Sequence, residues 1–415
     1  MMKKLCLPAL VVLSISLAAC SSPGEVQDVV GDEIELAEGP TYPIVDTGQI
    51  ICYDADGKEI ACPAKGEPLY GQDAQFGGNA FSLTDNGDET VVDNVTGLMW
   101  QQVPSADGFS WTEAVDYCND LELGGYDDWR VPSAKELFSI SDFESGWPYL
   151  DTVYFKLASG EVSKDEQYWT SDEYVGVTVE GGSEAVFGVN HVTGHIKAYA
   201  AGGPPEDGAA PPQDSQGPPP GEDGSGPTGG SPADNYVRAV RGADYGVNDY
   251  VDNGDGTVTD EATGLMWAQA DSVEGMDWEA ALAWAESTDL AGYDDWRLPN
   301  VKELQSIVDY SYAPGATDSS RQGAAIDPLF ESTPFTNEAG EDDYGYYWTS
   351  TSAPFRVGEP YYYAWYVAFG RAVNAQGLDF HGAGAVRFDT KYEGGPLGEG
   401  GERYLNLARL VRDDT

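Results

Sequence analysis

One pattern of apolar and polar positions, about fifty residues long, occurs twice along the chain. In the first copy, Phe81-Ser82-Leu83-Thr84 and Thr90-Val91-Val92-Asp93 alternate on either side of Asp85-Asn86-Gly87-Asp88, which predicts a β-hairpin. Leu98-Met99-Trp100 reads as a buried strand. Ser110-Trp111-Thr112-Glu113 fits a capping box, and the helix it opens carries Ala114, Val115, Cys118 and Leu121 on one face. The corner Gly125-Tyr126-Asp127-Asp128-Trp129-Arg130-Val131-Pro132 leads to Ser133, the expected cap of a second helix bearing Leu137 and Ile140. Strand-like runs follow Tyr168-Trp169-Thr170-Ser171, and Arg238-Ala239-Val240-Arg241 closes the copy.

The second copy repeats the plan, with a hairpin at Asn253-Gly254, a helix after Asp277 and another after Asn300. Strands follow Tyr347-Trp348-Thr349-Ser350, and the close is Arg409-Leu410-Val411-Arg412. Trp100 and Trp267 are 267 − 100 = 167 positions apart, as are Trp129 and Trp296 (296 − 129 = 167). One constant offset through five motif blocks identifies a tandem duplication. The expected fold class is α+β, in two tandem domains that each combine a small antiparallel sheet with two helices. Their spans are 81–242 and 249–412. Residues 202–234 are acidic, rich in Pro and Gly, and contain no aromatic or basic side chain. Because the closing strand of the first copy follows them, they read as a disordered insertion inside that domain rather than a hinge.

Residues 1–19 read as a signal peptide: Lys3 and Lys4, an apolar run too short to span a bilayer, then small residues before Cys20. That ending resembles a lipoprotein signal, which implies lipidation of Cys20 and attachment to a membrane. Ser21 follows the cysteine, and the expected location is the surface-exposed outer membrane of a Gram-negative cell. Residues 20–46 are expected to form a flexible tether and 47–80 a hairpin segment. In that segment Cys52 and Cys62 flank the turn signal Asp56-Gly57, so a Cys52–Cys62 disulfide is expected.

Net charge changes the picture of partners. The chain carries 71 acidic and 21 basic residues, a net charge of −50, and this field excludes nucleic acid. Its 11 Trp, 25 Tyr and 13 Phe argue for packed domains rather than disorder.

The ordered series Asp252 to Asp260, Thr263-Gly264-Leu265-Met266-Trp267, Gly292 to Pro299, Lys302-Glu303-Leu304, Tyr347 to Ser350 and the final Val411-Arg412 resembles the Lcl C-terminal domain family. That family takes its name from the terminal domain of a bacterial collagen-like adhesin. The resemblance implies an extracellular α+β domain of C-type-lectin-like kind, used in attachment and, in the adhesin, linked to glycosaminoglycan binding. Family members often bridge a cysteine at the Cys118 position to one in the closing strand. Here that partner position is Ala239, and in the second copy the pair is Ala285 and Leu410, so Cys118 is expected to be a free, buried thiol. The acidic balance argues against sulfated ligands.

No nucleophile or phosphate-binding motif stands out, and no enzyme is expected. The acid pairs Asp127-Asp128 and Asp294-Asp295 suit a packed corner better than the carboxylates of a divergent hydrolase. Trp100, Trp129, Arg130, Trp267, Trp296 and Arg297 are read as structural for the same reason. Asp85, Asp88, Asp252 and Asp255 are candidate Ca²⁺ ligands, although hairpin-turn acids explain them better; no other cofactor is expected. Tyr361, Tyr363, Trp365 and Tyr346 are the candidate ligand face, because aromatic rings stack on sugars. The function expected is binding or adhesion to an extracellular glycan or surface protein. A structural or protein-interaction module of the envelope is the rival reading.

Overall fold

The computed structural model describes residues 40–144, 146–179, 181–182, 184–201, 235–397 and 403–414. The signal, Cys20, most of the tether and the 202–234 insertion lie outside the described residues. The tether ends earlier than expected. Tyr42 and Val45 are buried, and the Tyr42 amide donates to Ala262 O at 2.8 Å.

The upstream segment forms a small hairpin of β1 (Cys52–Tyr53) and β2 (Glu59–Ile60), closed by a Cys52–Cys62 disulfide. The first copy continues with β3 (Leu83–Asp85), β4 (Thr90–Asp93) and β5 (Met99–Gln101). Helices α1 (Trp111–Asn119) and α2 (Ala134–Ser139) follow. Then come β6 (Tyr168–Tyr174), β7 (Ala185–Asn190), β8 (His195–Ala200) and β9 (Val240–Arg241). The second copy runs β10 (Tyr250–Asp252), β11 (Thr257–Asp260), β12 (Leu265–Ala268), α3 (Trp278–Ser287) and α4 (Val301–Ser306). It ends with β13 (Pro334–Thr336), β14 (Asp342–Tyr344), β15 (Tyr346–Ala353), β16 (Tyr363–Ala368), β17 (Val386–Thr390) and β18 (Val411–Asp413). The class is α+β and mostly sheet.

The helix starts follow their sequence signals. Ser110, Ser133 and Asn300 each accept from the third helical amide, while Glu113, Glu136 and Glu303 complete capping boxes. Asp277 caps α3 through the Ala280 amide.

Each copy builds a four-stranded sheet, β3-β4-β5-β9 and β10-β11-β12-β18, in which the closing strand returns beside the buried tryptophan strand. β13 and β14 pair as a separate two-stranded sheet, and six further strands form one antiparallel sheet across both copies, in the order β15-β16-β17-β8-β7-β6. Both faces of this sheet are covered. Phe187, Val189, Trp365 and Val367 point into a core shared with α2 and α4, with Leu137 and Leu304 among its members. The alternate residues point into separate cores, Val186 with α1 and Ala364 and Tyr366 with α3. Trp365 of the second copy packs edge-on to Phe143 and Tyr149 of the first, at 5.3 and 5.4 Å between ring centroids.

The upstream segment belongs structurally to the second copy, although it precedes the first. The Gln49 side-chain amide donates to Ser352 O at 3.0 Å and accepts from its N–H at 2.9 Å, taking the place of a further strand on the β15 edge. Asp73 accepts from Thr47 Oγ1 and Thr351 Oγ1 at 2.9 and 2.5 Å. The Tyr53 ring stacks on Tyr361 at 4.0 Å. The Tyr361 amide donates to Gly57 O at 2.9 Å, and a Cβ on Gly57 would lie 2.4 Å from that same amide nitrogen, so the approach requires glycine. These contacts make residues 47–80 a strap over the second copy.

Candidate binding site

The conserved spacing of the two motif copies resolves into two ion pairs per copy. Arg130 forms a bidentate pair with Glu136 of α2, and Arg297 with Glu303 of α4 at 2.7 Å for both bonds. Asp128 and Asp295 turn the other way, onto Arg241 and Arg412 of the closing strands at 2.6 and 2.8 Å. Tyr126 and Tyr293 lie under those arginines, 3.7 and 3.9 Å from the guanidinium carbon. Trp100 and Trp267 are fully buried, and Trp129 and Trp296 nearly so. Two further arginines, Arg238 and Arg409, are completely buried and hold three backbone carbonyls each: Gln101, Gln102 and Lys156 O, and Ala268, Gln269 and Glu331 O. The corner motif is therefore a clamp between helix, tryptophan strand and closing strand. Of each acid pair, the second member, Asp128 or Asp295, is taken up in this clamp.

The aromatic groove expected at Tyr361, Tyr363, Trp365 and Tyr346 does not form. Tyr363, Trp365 and Tyr346 are buried at 2% exposure or less, and half-buried Tyr361 is stacked under the strap. The reason is that β16 has a core on each face, so alternation divides the run between two interiors instead of between interior and solvent. The candidate Ca²⁺ ligands serve the hairpin turns. Asp85 and Asp252 accept from the Gly87 and Gly254 amides at 2.8 Å. Asp88 and Asp255 accept from the hydroxyls of Thr90 and Thr257 at 2.6 and 2.7 Å. Among the described residues no group of three or more His, Cys, Asp and Glu could hold a metal ion. Cys118 is free and buried in the α1 core with Ala239, and burial pushes its thiol up to about 12; in the second copy Ala285 and Leu410 fill the same place.

What the described surface does offer is an open cleft of about 420 Å³ along α1. Phe109 and Tyr117, with ring centroids 5.3 Å apart, and Leu121 form its apolar part; Glu113, Asp116, Asp120 and Glu122 rim it. None of the four carboxylates forms an ion pair among the described residues, and Glu113 is held below its usual range by the Ser110 hydroxyl. Three of these four acids belong to the first copy alone, while Glu122 is matched by Asp289. At the positions 167 residues later stand Ala280, Ala283 and Ser287 in place of Glu113, Asp116 and Asp120. Sequence reasoning missed this cleft, and the signal available was that substitution pattern between copies.

The Lcl C-terminal domain model matches residues 89–204 and 256–388, two tandem stretches that cover more than half of the chain. The chain belongs to the Lcl C-terminal domain family. No curated protein and no solved structure matches it. In this Lcl C-terminal protein the family motifs are the clamp just described, so they account for the fold, and the cleft on α1 lies outside them.

Proposed function

We propose that this Lcl C-terminal protein is a surface lipoprotein, anchored in the outer membrane through Cys20, that binds a neutral carbohydrate in attachment. The observation that carries the reading is the α1 cleft, where the rings of Phe109 and Tyr117 stand beside four carboxylates that form no ion pair among the described residues. Aromatic faces stack on the C–H faces of sugars, and carboxylates accept hydrogen bonds from their hydroxyls. The same carboxylates repel sulfated chains. The family's namesake adhesin, and the C-type-lectin-like relationship implied by the resemblance, agree with a recognition role. Binding without turnover is part of the proposal: the Glu113 carboxyl is shifted downward, opposite to the shift a general acid requires.

The test is a neutral-glycan array probed with the soluble Cys20→Ser protein, with and without Ca²⁺. Binding to defined glycans, weakened at least tenfold by Tyr117→Ala and by Asp116→Asn, is the expected result. Absence of binding under both conditions overturns the carbohydrate reading. Retained binding in both variants removes the cleft from it.

A further inference from the structure

The two copies differ systematically at one face. In the second copy the strap covers the α3–β15 face, and Trp278, Leu282, Ser350, Thr351 and Ser352 are all buried there. The motif registers equate these positions with Trp111, Val115, Ser171, Asp172 and Glu173 of the first copy. Trp111 and Val115 are half-buried, Ser171 and Glu173 are exposed, and β6 is the outer strand of the six-stranded sheet. Among the described residues, the first copy thus leaves uncovered the face that its twin keeps under an extended segment of chain. This face is separate from the carboxylate-rimmed cleft, which includes none of these residues.

The chemistry of the open face selects its occupant. A second copy of the strap does not fit, because Thr351, which donates to Asp73 in the second copy, is replaced by Asp172, and two carboxylates would meet. In the second copy Lys391 lies over the Trp278 ring at 4.2 Å and over Tyr53 at 5.8 Å. The register that equates Val386 with Ile196 puts Ala201 in the place of Lys391, and among the described residues no cation lies over Trp111. Residues 202–234, which follow directly, contain no Lys or Arg to supply one. The strand edge itself carries Asp172 and Glu173, which disfavours pairing with another β6. The edge of β6 is taken at Trp169 and Ser171, whose amides donate to Tyr236 O and Pro132 O, and Asp172 already accepts from the Ala134 amide. The open end of the strand at Glu173, that exposed carboxylate and an aromatic face without its cation together call for a positively charged, extended chain.

We propose that the α1–β6 face of the first copy docks an extended, basic segment of a partner protein, meeting β6 at Glu173 with a Lys or Arg over Trp111. Attachment by this route adds a protein partner to the carbohydrate reading and stands independently of it.

The experiment uses the soluble Cys20→Ser protein with a photo-crosslinker at position 115. The probes are an alternating Lys-Val decapeptide and its Glu-Val counterpart. The basic peptide should bind and crosslink, more weakly at high salt, while the acidic one should not. Ala201→Lys places the chain's own cation over Trp111 and should weaken binding at least tenfold without loss of folding. Glu173→Lys should do the same, and Tyr117→Ala should leave peptide binding unchanged. Equal binding of both peptides, or unchanged binding in the Ala201→Lys and Glu173→Lys proteins, overturns the proposal. So does crosslinking of position 115 to residues 202–234 or to the strap of a second molecule, since either identifies a different occupant.

Discussion

Ile196 of β8 pairs with Val386 of β17, and each residue is the other's equivalent in the duplicated fold. Ile196 faces Val189 as Val386 faces Val367, so the seam is self-complementary in the way of a two-fold dimer interface. Around it the amide of Ala198 donates to His381 O, and Tyr174 Oη donates to Asp379 at 2.6 Å. The copies therefore share one core and are expected to unfold together. Ile196→Ala should cost about 2–5 kcal/mol and lower the stability of both copies in a single transition. Two separate urea transitions, with only the first copy affected, would contradict a shared core.

The four corner ion pairs should not respond alike to mutation. Arg297 and Glu303 are almost fully enclosed, with side-chain exposures of 9% and 10%. Neutralising one partner there leaves the other charge buried, so Glu303→Gln should cost about 3–5 kcal/mol. Asp128 is 59% exposed and pairs with Arg241 at the surface. Asp128→Asn should leave the melting temperature nearly unchanged, because solvent already screens that pair. Calorimetry on the two variants checks the contrast. A large loss in Asp128→Asn would mean that the exposed pair governs the clamp.

The local layer of the fold was legible and the long-range layer was not. Ser110, Ser133, Asp277 and Asn300 announce their helices because a cap is a contact between residues three apart. The Cys52–Cys62 bridge was readable from a turn between two nearby cysteines. Nothing local in Gln49 or Asp73 says that they reach across the first copy to Ser352 and Thr351, some three hundred positions away in sequence. Trp365 misled for a related reason: strand alternation tells which residues share a face, and it does not tell that both faces are covered. The α1 cleft required comparing Asp116 with Ala283 position by position, since three of its four acids depart from the repeat.

Buried charge gives the protein a dated pH signature. Burial raises the Asp73 carboxyl from its ordinary 3.8 to about 7, against the lowering effect of the Thr351 and Thr47 hydroxyls. The folded chain then holds an extra proton between about pH 4 and 7, and stability falls as pH rises through that window. Burial depresses Lys302 from 10.5 to about 7; its Nζ donates to Asp46 O and Ser139 O at 2.9 Å. There the unfolded chain holds the extra proton, so stability rises with pH from about 7 to 10.5. These two groups together place a minimum near neutrality. Asp73→Asn should shrink the falling limb, which Asp379 shares, and Lys302→Met the rising one, which Lys391 and Lys135 share, in melting temperatures recorded from pH 4 to 10. If the difference between Asp73→Asn and the parent protein is flat from pH 4 to 7, the buried carboxyl is not the titrating group.

The strap should come away before the core does. Its hold on the second copy consists of the Gln49–Ser352 pairing, the Asp73 hydroxyl contacts, the Tyr53–Tyr361 stack and the passage of Gly57 against the Tyr361 amide. The disulfide links residues 10 apart, and removing such a closure costs roughly 2–3 kcal/mol through the freed chain. That cost falls on the hairpin, while the six-stranded sheet keeps its own ladders. Replacing both Cys52 and Cys62 with Ala should therefore uncover Trp278, which the strap and Lys391 shield, while far-ultraviolet circular dichroism stays native. Gly57→Ala should reproduce the effect with the disulfide intact, because the added Cβ collides with Tyr361 backbone. Acrylamide quenching measures it: additional tryptophan accessibility in both variants, absent from the parent, is the expected outcome. Global unfolding in both would mean that the strap is part of the cooperative core, and unchanged quenching would mean that its docking does not depend on the hairpin.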